Sequence, residues 1–196
     1  QPIKEIGAIC RKHKVFFHTD AAQAVGKMPL DVNEMNIDLM SISGHKLYGP
    51  KGIGALFVRS GTGIEPQAVG GAQERGRRAG TENVAGIVGL GRACELLSGE
   101  LQSTSKQMEV LRDRLQEGVL ATVPCAGING STAHRLPNSL NMAFNDLDGE
   151  RMMFALDQEG IAVSTGSACT AGSLDPSHVL LAMGQSHEHA SSAIRF

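Results

Sequence analysis

A lysine and an aspartate each follow a predicted strand in the first part of the sequence. Asp20 comes just after the apolar stretch 15–18, and Lys46 comes shortly after the stretch 37–42. In open α/β sheets, ligands bind beyond the carboxyl ends of the strands. A lysine at such an edge can form a Schiff base, and an aspartate one strand away can pair with a pyridinium nitrogen. The spacing therefore permits pyridoxal-phosphate (PLP) chemistry.

The same residues also have ordinary interpretations. A lysine in a Gly-His-Lys sequence is more often a solvated surface lysine, and an aspartate after a strand is more often a turn or helix cap. The glycine-rich stretch 49–54 lacks the Gly-Lys-Ser/Thr ending of a Walker A loop. The basic run 75–78 lacks the interleaved aromatic residues of a nucleic-acid surface. Spacing alone leaves these alternatives open.

Composition limits the class of protein. The 196 residues include 24 glycines, which suits a ligand-binding α/β protein. The formal net charge is −2, which gives no global attraction to nucleic acid or anionic membrane. The four cysteines show no Cys-x-x-Cys spacing, which argues against a zinc or redox pair, and their wide scatter along the chain argues against a disulfide framework. We therefore expect a reduced cytoplasmic protein, or one of an organelle matrix, without nucleic-acid or membrane partners.

Apolar periodicity predicts the elements of a first domain. A helix is expected over residues 2–13, and short apolar strands over 15–18, 37–42 and 53–58. Their apolar character favours buried strands of a mostly parallel sheet. After a glycine-rich loop, a long helical region runs from Val84 to about Val119 and is expected to be broken or loosened near Ser98-Gly99.

A second, smaller α+β domain is predicted beyond this helix. Strands are expected over 123–128, 139–144 and 161–164, a helix over 149–158, and another helix opened by Pro176. We place residues 1–97 in the C-terminal part of a large domain and residues 98–196 in the small domain. The fold class is therefore α/β.

Three sequence blocks resemble the PLP-binding segments of cysteine desulfurases, which belong to the class V aminotransferase family of fold type I. The first is His-Thr-Asp-Ala-Ala-Gln at 18–23, and the second is Ser-Ile-Ser-Gly-His-Lys-Leu-Tyr-Gly-Pro-Lys-Gly at 41–52. The third is the glycine- and arginine-rich stretch 70–81. The resemblance covers nearly the whole chain and corresponds to the C-terminal half of such enzymes. We therefore expect residues 1–196 alone not to catalyse.

This resemblance implies roles for residues of the first two blocks. Lys46 would bind PLP covalently and move protons. Asp20 would keep the ring nitrogen protonated, which makes the ring an electron sink, and Gln23 would hydrogen-bond the phenolic oxygen. Ser43 and His45 would bind the phosphate.

The third block implies a homodimer. Thr81, at its end, would reach the phosphate of the PLP bound to a partner subunit. The cofactor site would then be completed only in the dimer.

Cys169 lies among small residues near the end of the chain. A free cysteine is usually a buried small hydrophobe. No large apolar side chain occurs from Thr165 to Ser173, however, so we expect an exposed and mobile loop with a reactive thiol. The loop resembles the catalytic loop of the desulfurase group with a long mobile loop. This implies that Cys169 takes the sulfur of L-cysteine as a persulfide and that alanine is released.

Arg195 matches the family arginine that pairs with the substrate carboxylate; without the resemblance, it would be interpreted as a surface ion pair. The histidines of the second domain are expected to be surface or structural residues, and no resident metal is predicted, although Cys169 could transiently contact an iron–sulfur cluster. The predicted activity is cysteine desulfuration, with sulfur passed to an acceptor or iron–sulfur scaffold protein for iron–sulfur cluster or other thio-cofactor synthesis. The alternatives are another class V PLP enzyme, an aminotransferase or selenocysteine lyase, and an inactive fragment that acts as an interaction module.

Overall fold

The computed structural model describes residues 1–165 and 175–196. The chain divides into two compact units, Gln1–Thr104 and Ser105–Phe196. The division lies inside a long helix, a few residues beyond the boundary at 97–98 that the sequence suggested. Each unit is described separately.

Unit 1 is built on a short helix and a three-stranded sheet. Helix α1 spans Ile3–His13, and the strands are β1 (His18–Asp20), β2 (Leu39–Ser43) and β3 (Gly54–Val58). Ile3, Ile6 and Cys10 of α1 pack against a core centred on Phe17, Ala21, Ile37 and Met40. The apolar face of α1 that was visible in the sequence therefore covers the start of the sheet.

The direction of β3 differs from the expected mostly parallel arrangement. β1 and β2 are parallel, with Asp20 opposite Ser41, but β3 runs antiparallel to β2, with Ser43 opposite Gly54. The reason is the short connection between β2 and β3, because a parallel pairing needs a crossover of a dozen or more residues. The expectation of buried strands also fails for β3, whose residues Gly54, Ala55 and Leu56 are exposed.

Helix α3 spans Val84–Thr122 without interruption, so the predicted break near Ser98-Gly99 is wrong. A glycine inside a helix costs only about 1 kcal/mol relative to alanine, which the rest of the helix offsets. A short kinked helical turn, α2 (Gln73–Gly76), precedes it. Among the described residues, no helix is long and apolar enough to cross a membrane.

Unit 2 contains an antiparallel sheet in the order β4 (Ala126–Ile128), β5 (Asn141–Phe144) and β6 (Ala193–Arg195). The helices are α4 (Gly149–Gln158), α5 (His178–Ala182) and α6 (His187–Ser191). Helix α4 has the predicted bounds, and the Asp148 side chain caps it by accepting a hydrogen bond from the Arg151 N–H.

The core of unit 2 is centred on the sheet, with Leu140, Met142, Phe144 and Ile194 buried together. The strand predicted over 161–164 is wrong, because this segment forms only a single bridge between Ser164 and Arg195. The two predicted strands before α4 are shorter than expected. The overall class is nevertheless mixed α/β, as the pattern predicted.

Candidate active site

The carboxyl ends of β1 and β2 bring predicted site residues to one edge of the unit 1 sheet. Because the two strands are parallel, Asp20 at the end of β1 and Ser43 at the end of β2 lie at the same edge. The Ala21 N–H donates to the Ser41 carbonyl at 3.0 Å, which extends the pairing past Asp20. Asp20 is exposed and Ser43 is partly exposed.

Asp20 has a local structural role in addition to its predicted one. Its Oδ1 accepts a hydrogen bond from the Ala22 N–H at 2.9 Å, which caps the turn that leads to Gln23. The interpretation of Asp20 as a turn cap is therefore confirmed. It also fixes the orientation of the carboxylate at the sheet edge.

A tight turn places Ser43, His45 and Lys46 together. Residues Gly44–Leu47 form a 3₁₀ turn directly after β2, and a hydrogen bond of 3.1 Å joins Ser43 Oγ and His45 Nδ1. A Cβ on Gly44 would lie 2.8 Å from the Ile53 carbonyl oxygen, so only glycine allows this turn to pack against the segment before β3. The turn leaves the side chains of His45 and Lys46 exposed.

Lys27 is a residue of this edge that the sequence reasoning missed. Its Nζ donates to Gln23 Oε1 at 3.4 Å. Burial, and after it the positive charge of Lys46, lowers the pKa of Lys27 below its usual value. The two ammonium groups are thus close enough to interact. The four-residue spacing from Gln23 to Lys27, which is one helical turn, was the available signal.

His18 and Ser41 form a second pair that sequence reasoning did not identify. His18 Nε2 and Ser41 Oγ are 2.8 Å apart and join β1 to β2 through their side chains. His18 and Asp20 alternate with Thr19 along the strand and therefore lie on the same face of the sheet. The polar edge accordingly continues along this face.

Thr81 lies at the end of the glycine-rich loop and is exposed. The Gln73 side chain closes this loop, because its Oε1 accepts a hydrogen bond from the Gly80 N–H at 3.1 Å. This bond fixes the backbone immediately before Thr81.

In unit 2, Arg195 ends the strand β6 and has an exposed side chain. Its backbone pairs with Asn141 of β5 on one side and with Ser164 on the other. Cys169 lies outside the described residues, which stop at Thr165 before it. Arg195 is therefore paired directly with the segment that leads to Cys169.

The histidines of unit 2 show no sign of a metal centre. His189 Nε2 lies 2.9 Å from Asn129 Oδ1, and the Asn129 amide donates to Asn141 Oδ1 at 2.7 Å. His134, His178 and His187 are exposed. Within the part of the chain that the structure describes, no three His, Cys, Asp or Glu residues are grouped to hold a metal ion.

Sequence comparison finds relatives along the whole chain. The family model for aminotransferase class-V proteins matches residues 1–196. A Methanosarcina thermophila protein named cysteine desulfurase IscS is 52% identical over 195 residues, which cover 100% of this chain and 48% of that protein. A cysteine desulfurase of Trichormus azollae is 51% identical, covering 100% of this chain and 49% of its own length. The chain thus spans about half the length of the curated relatives it matches.

Solved structures agree with these relatives. The X-ray structure of a NifS-like protein from Rickettsia africae ESF-5 superposes with a TM-score of 0.89 at 34% identity, over 99% of this chain and 51% of that one. A structure described as SspA in complex with cysteine matches with a TM-score of 0.79 at 38% identity, over 100% of this chain and 53% of that one. The family that the sequence blocks indicated is confirmed, and the chain belongs to the class V aminotransferase family.

Proposed function

We propose that this chain is part of a PLP-dependent cysteine desulfurase that converts L-cysteine to L-alanine. The observation that carries the proposal is the polar edge of the unit 1 sheet, where Asp20, the Ser43–His45 pair and Lys46 follow the ends of two parallel strands. Relatives named cysteine desulfurase, at about 50% identity, support it.

The chemistry of this edge fits PLP. The cofactor has an anionic phosphate at one end and a basic ring nitrogen in the ring. Lys46 and Lys27 supply positive charge, and the paired Ser43 hydroxyl and His45 imidazole supply hydrogen-bonding groups for a phosphate. Asp20, on the neighbouring strand, supplies the carboxylate that a protonated ring nitrogen requires.

Each side chain then has a defined task. When bound, PLP supplies an electron sink that allows a proton to leave the substrate carbon next to the amino group. Lys46 holds the cofactor and moves the proton at its Nζ. Asp20 keeps the ring nitrogen protonated through its negative charge, and Gln23 hydrogen-bonds the phenolic oxygen.

The sulfur is taken by a thiolate, for which we propose Cys169. The thiolate attacks the sulfur of the bound cysteine, so that an S–S bond forms while the carbon–sulfur bond breaks. The electron pair of the broken bond stays on carbon, which takes up a proton and becomes the methyl group of alanine. The reaction needs no external oxidant or reductant, and Cys169 keeps a persulfide. Arg195 binds the substrate carboxylate.

The proposal includes two kinds of partner and a compartment. Thr81 would contact the phosphate of a second subunit's cofactor, which makes the enzyme a homodimer. A sulfur-acceptor or iron–sulfur scaffold protein would receive the persulfide sulfur, with the reaction taking place in the cytoplasm or an organelle matrix. The structure described as SspA in complex with cysteine supports L-cysteine as the substrate class.

The test compares two cysteine variants of the full-length protein. In an assay that contains a thiol reductant, which releases persulfide sulfur as sulfide, we expect Cys169→Ser to keep the absorbance of bound PLP and its change on adding L-cysteine, but to form neither alanine nor sulfide. Cys94→Ser is the matched control, because Cys94 is exposed on α3 and has no proposed role. It should retain full turnover.

Two results would overturn the proposal. A full-length protein that binds no PLP would remove the cofactor assignment. Sulfur removal and alanine formation by Cys169→Ser at the unmodified rate would remove the persulfide mechanism at Cys169 and favour an enzyme of the selenocysteine lyase type. A keto acid product in place of alanine would favour an aminotransferase.

A further inference from the structure

The start of helix α4 lies unusually close to the strand that carries Arg195. A Cβ added to Gly149, the first residue of α4, would lie 2.5 Å from the Ser191 carbonyl oxygen and 3.2 Å from the Ala193 carbonyl oxygen. It would also lie 3.5 Å from Thr165 Cγ2. Two of these three neighbours are backbone atoms, which cannot move out of the way by changing a rotamer.

The backbone of Gly149 does not itself require glycine. Gly149 is not one of the described glycines that have a positive φ. Alanine would therefore suit the helix, and it has the higher helix propensity. A side chain at residue 149 is therefore excluded only by the lack of space. The absence of a Cβ permits the short distance between the α4 N-terminus and the backbone at residues 191–193.

Strand β6 links this contact to Arg195, because a change in the distance at residue 193 would displace the strand that ends at Arg195. Ala193 and Ile194 are fully buried, so a shift at residue 193 has no free volume to absorb it. On its outer edge, Arg195 exchanges both backbone hydrogen bonds with Ser164. A displacement of β6 would therefore move Arg195 and Ser164 together.

We propose that Gly149 is a positioning residue for the carboxylate site of the substrate. By permitting close contact of α4 with residues 191–193, it holds Arg195 where its guanidinium meets an amino acid carboxylate. It also holds Ser164 and Thr165, from which the chain continues toward Cys169. This inference rests on the proposed function, because it assumes that Arg195 binds the carboxylate.

The experiment measures ligand binding in the full-length enzyme carrying Cys169→Ser, so that cysteine is bound without being consumed. The absorbance of bound PLP is titrated with L-cysteine and, separately, with cysteamine, which has the same amine and thiol but no carboxylate. We expect Gly149→Ala to raise the Kd for L-cysteine about tenfold, because a displaced Arg195 guanidinium would lose hydrogen bonding to the carboxylate, and a hydrogen bond to a charged group contributes an amount of this order. The Kd for cysteamine should change little.

Gly127→Ala is the matched control. Gly127 lies on β4 of the same sheet, and an added Cβ meets no atom within 4 Å. It should leave both dissociation constants unchanged. Equal weakening of L-cysteine and cysteamine binding by Gly149→Ala would overturn the proposal, because it would indicate a general loosening of unit 2. So would unchanged L-cysteine binding.

A second variant keeps the proposal testable if Gly149→Ala does not fold. Ser164→Pro removes the N–H that donates to the Arg195 carbonyl at 3.1 Å, whereas Ser164→Thr keeps both this N–H and the side-chain hydroxyl. We expect only the proline variant to weaken L-cysteine binding selectively; equal behaviour of the two would count against the proposal. Absence of PLP absorbance in the enzyme without the unit 2 substitutions would instead refute the proposed function.

Discussion

The two units hold their parts of the proposed site in different ways. In unit 1, Asp20, His45 and Lys46 are exposed and are placed by a strand end and a 3₁₀ turn. In unit 2, the strand before Arg195 is completely buried, and Arg195 depends on contacts with Ser164 and with the start of α4. The residues proposed to bind the cofactor are therefore positioned locally, whereas Arg195, the residue proposed to bind the substrate, is positioned by packing between segments that are distant in sequence.

Because of this difference, we expect substitutions at the unit 1 edge to change the chemistry, and substitutions of buried residues near Arg195 to change the stability of the fold. Removing an exposed side chain at a turn should remove a chemical group and leave the fold intact. Changing a buried residue next to Arg195 should instead affect the free energy of unfolding first. Three substitutions test how sharply the two units differ.

The largest effect is expected for Lys46→Ala in the full-length protein. We expect loss of covalently bound PLP, seen as loss of its visible absorbance, and loss of sulfide release. The free energy of unfolding of the apoenzyme should remain within about 0.5 kcal/mol, because the side chain is exposed. Lys12→Ala, at an exposed lysine of α1, is the control and should bind PLP normally. Retained activity in Lys46→Ala would show that the unit 1 edge is not the cofactor site.

A smaller functional but larger structural effect is expected for Ile194→Ala in unit 2. Ile194 is fully buried against Met142 and its neighbours, so the substitution should cost about 2–5 kcal/mol in the free energy of unfolding. Bound PLP should keep its absorbance, because its proposed ligands lie in unit 1. Ile161→Ala is the control, since Ile161 is 47% exposed. Chemical denaturation followed by circular dichroism measures both. A cost for Ile194→Ala no larger than that for Ile161→Ala, or than that for Lys46→Ala in unit 1, would contradict the contrast between the units.

The same contrast explains what the sequence could predict. The Ser-Gly-His-Lys block and Asp20 lie within short segments whose strand ends follow from apolar patterns, so their meeting at one edge was predictable. The helix Gly149–Gln158 was also predictable, because an aspartate cap precedes its apolar periodicity.

The remaining features depend on long-range pairing. Nothing near Ser164 in sequence indicates that it bridges to Arg195 instead of forming a strand. The close approach at Gly149 depends on residues some forty positions away. The antiparallel direction of β3 could have been inferred from the short connection after β2, but the apolar pattern alone does not distinguish it.

The smallest effect is expected for Lys27→Met, which tests whether the unit 1 edge acts through charge as well as hydrogen bonds. The lowered pKa of Lys27, due to burial and then to the charge of Lys46, indicates that two positive groups share this edge. An anionic phosphate relieves their repulsion, so both lysines should favour PLP binding. Removing one partly exposed charge should weaken PLP affinity about three- to tenfold at low ionic strength, given a Coulomb interaction of about 1 kcal/mol.

Salt and a conservative variant separate charge from packing. The effect of Lys27→Met should shrink at high ionic strength, because exposed charges are then screened. Lys27→Arg keeps the charge and should bind PLP nearly as well as the unmodified protein at every salt concentration. Equilibrium titration of the full-length apoenzyme with PLP gives both dependences. A salt-independent loss would assign the effect to the Gln23 contact, in which case this edge, like β6 in unit 2, would depend on positioning more than on charge.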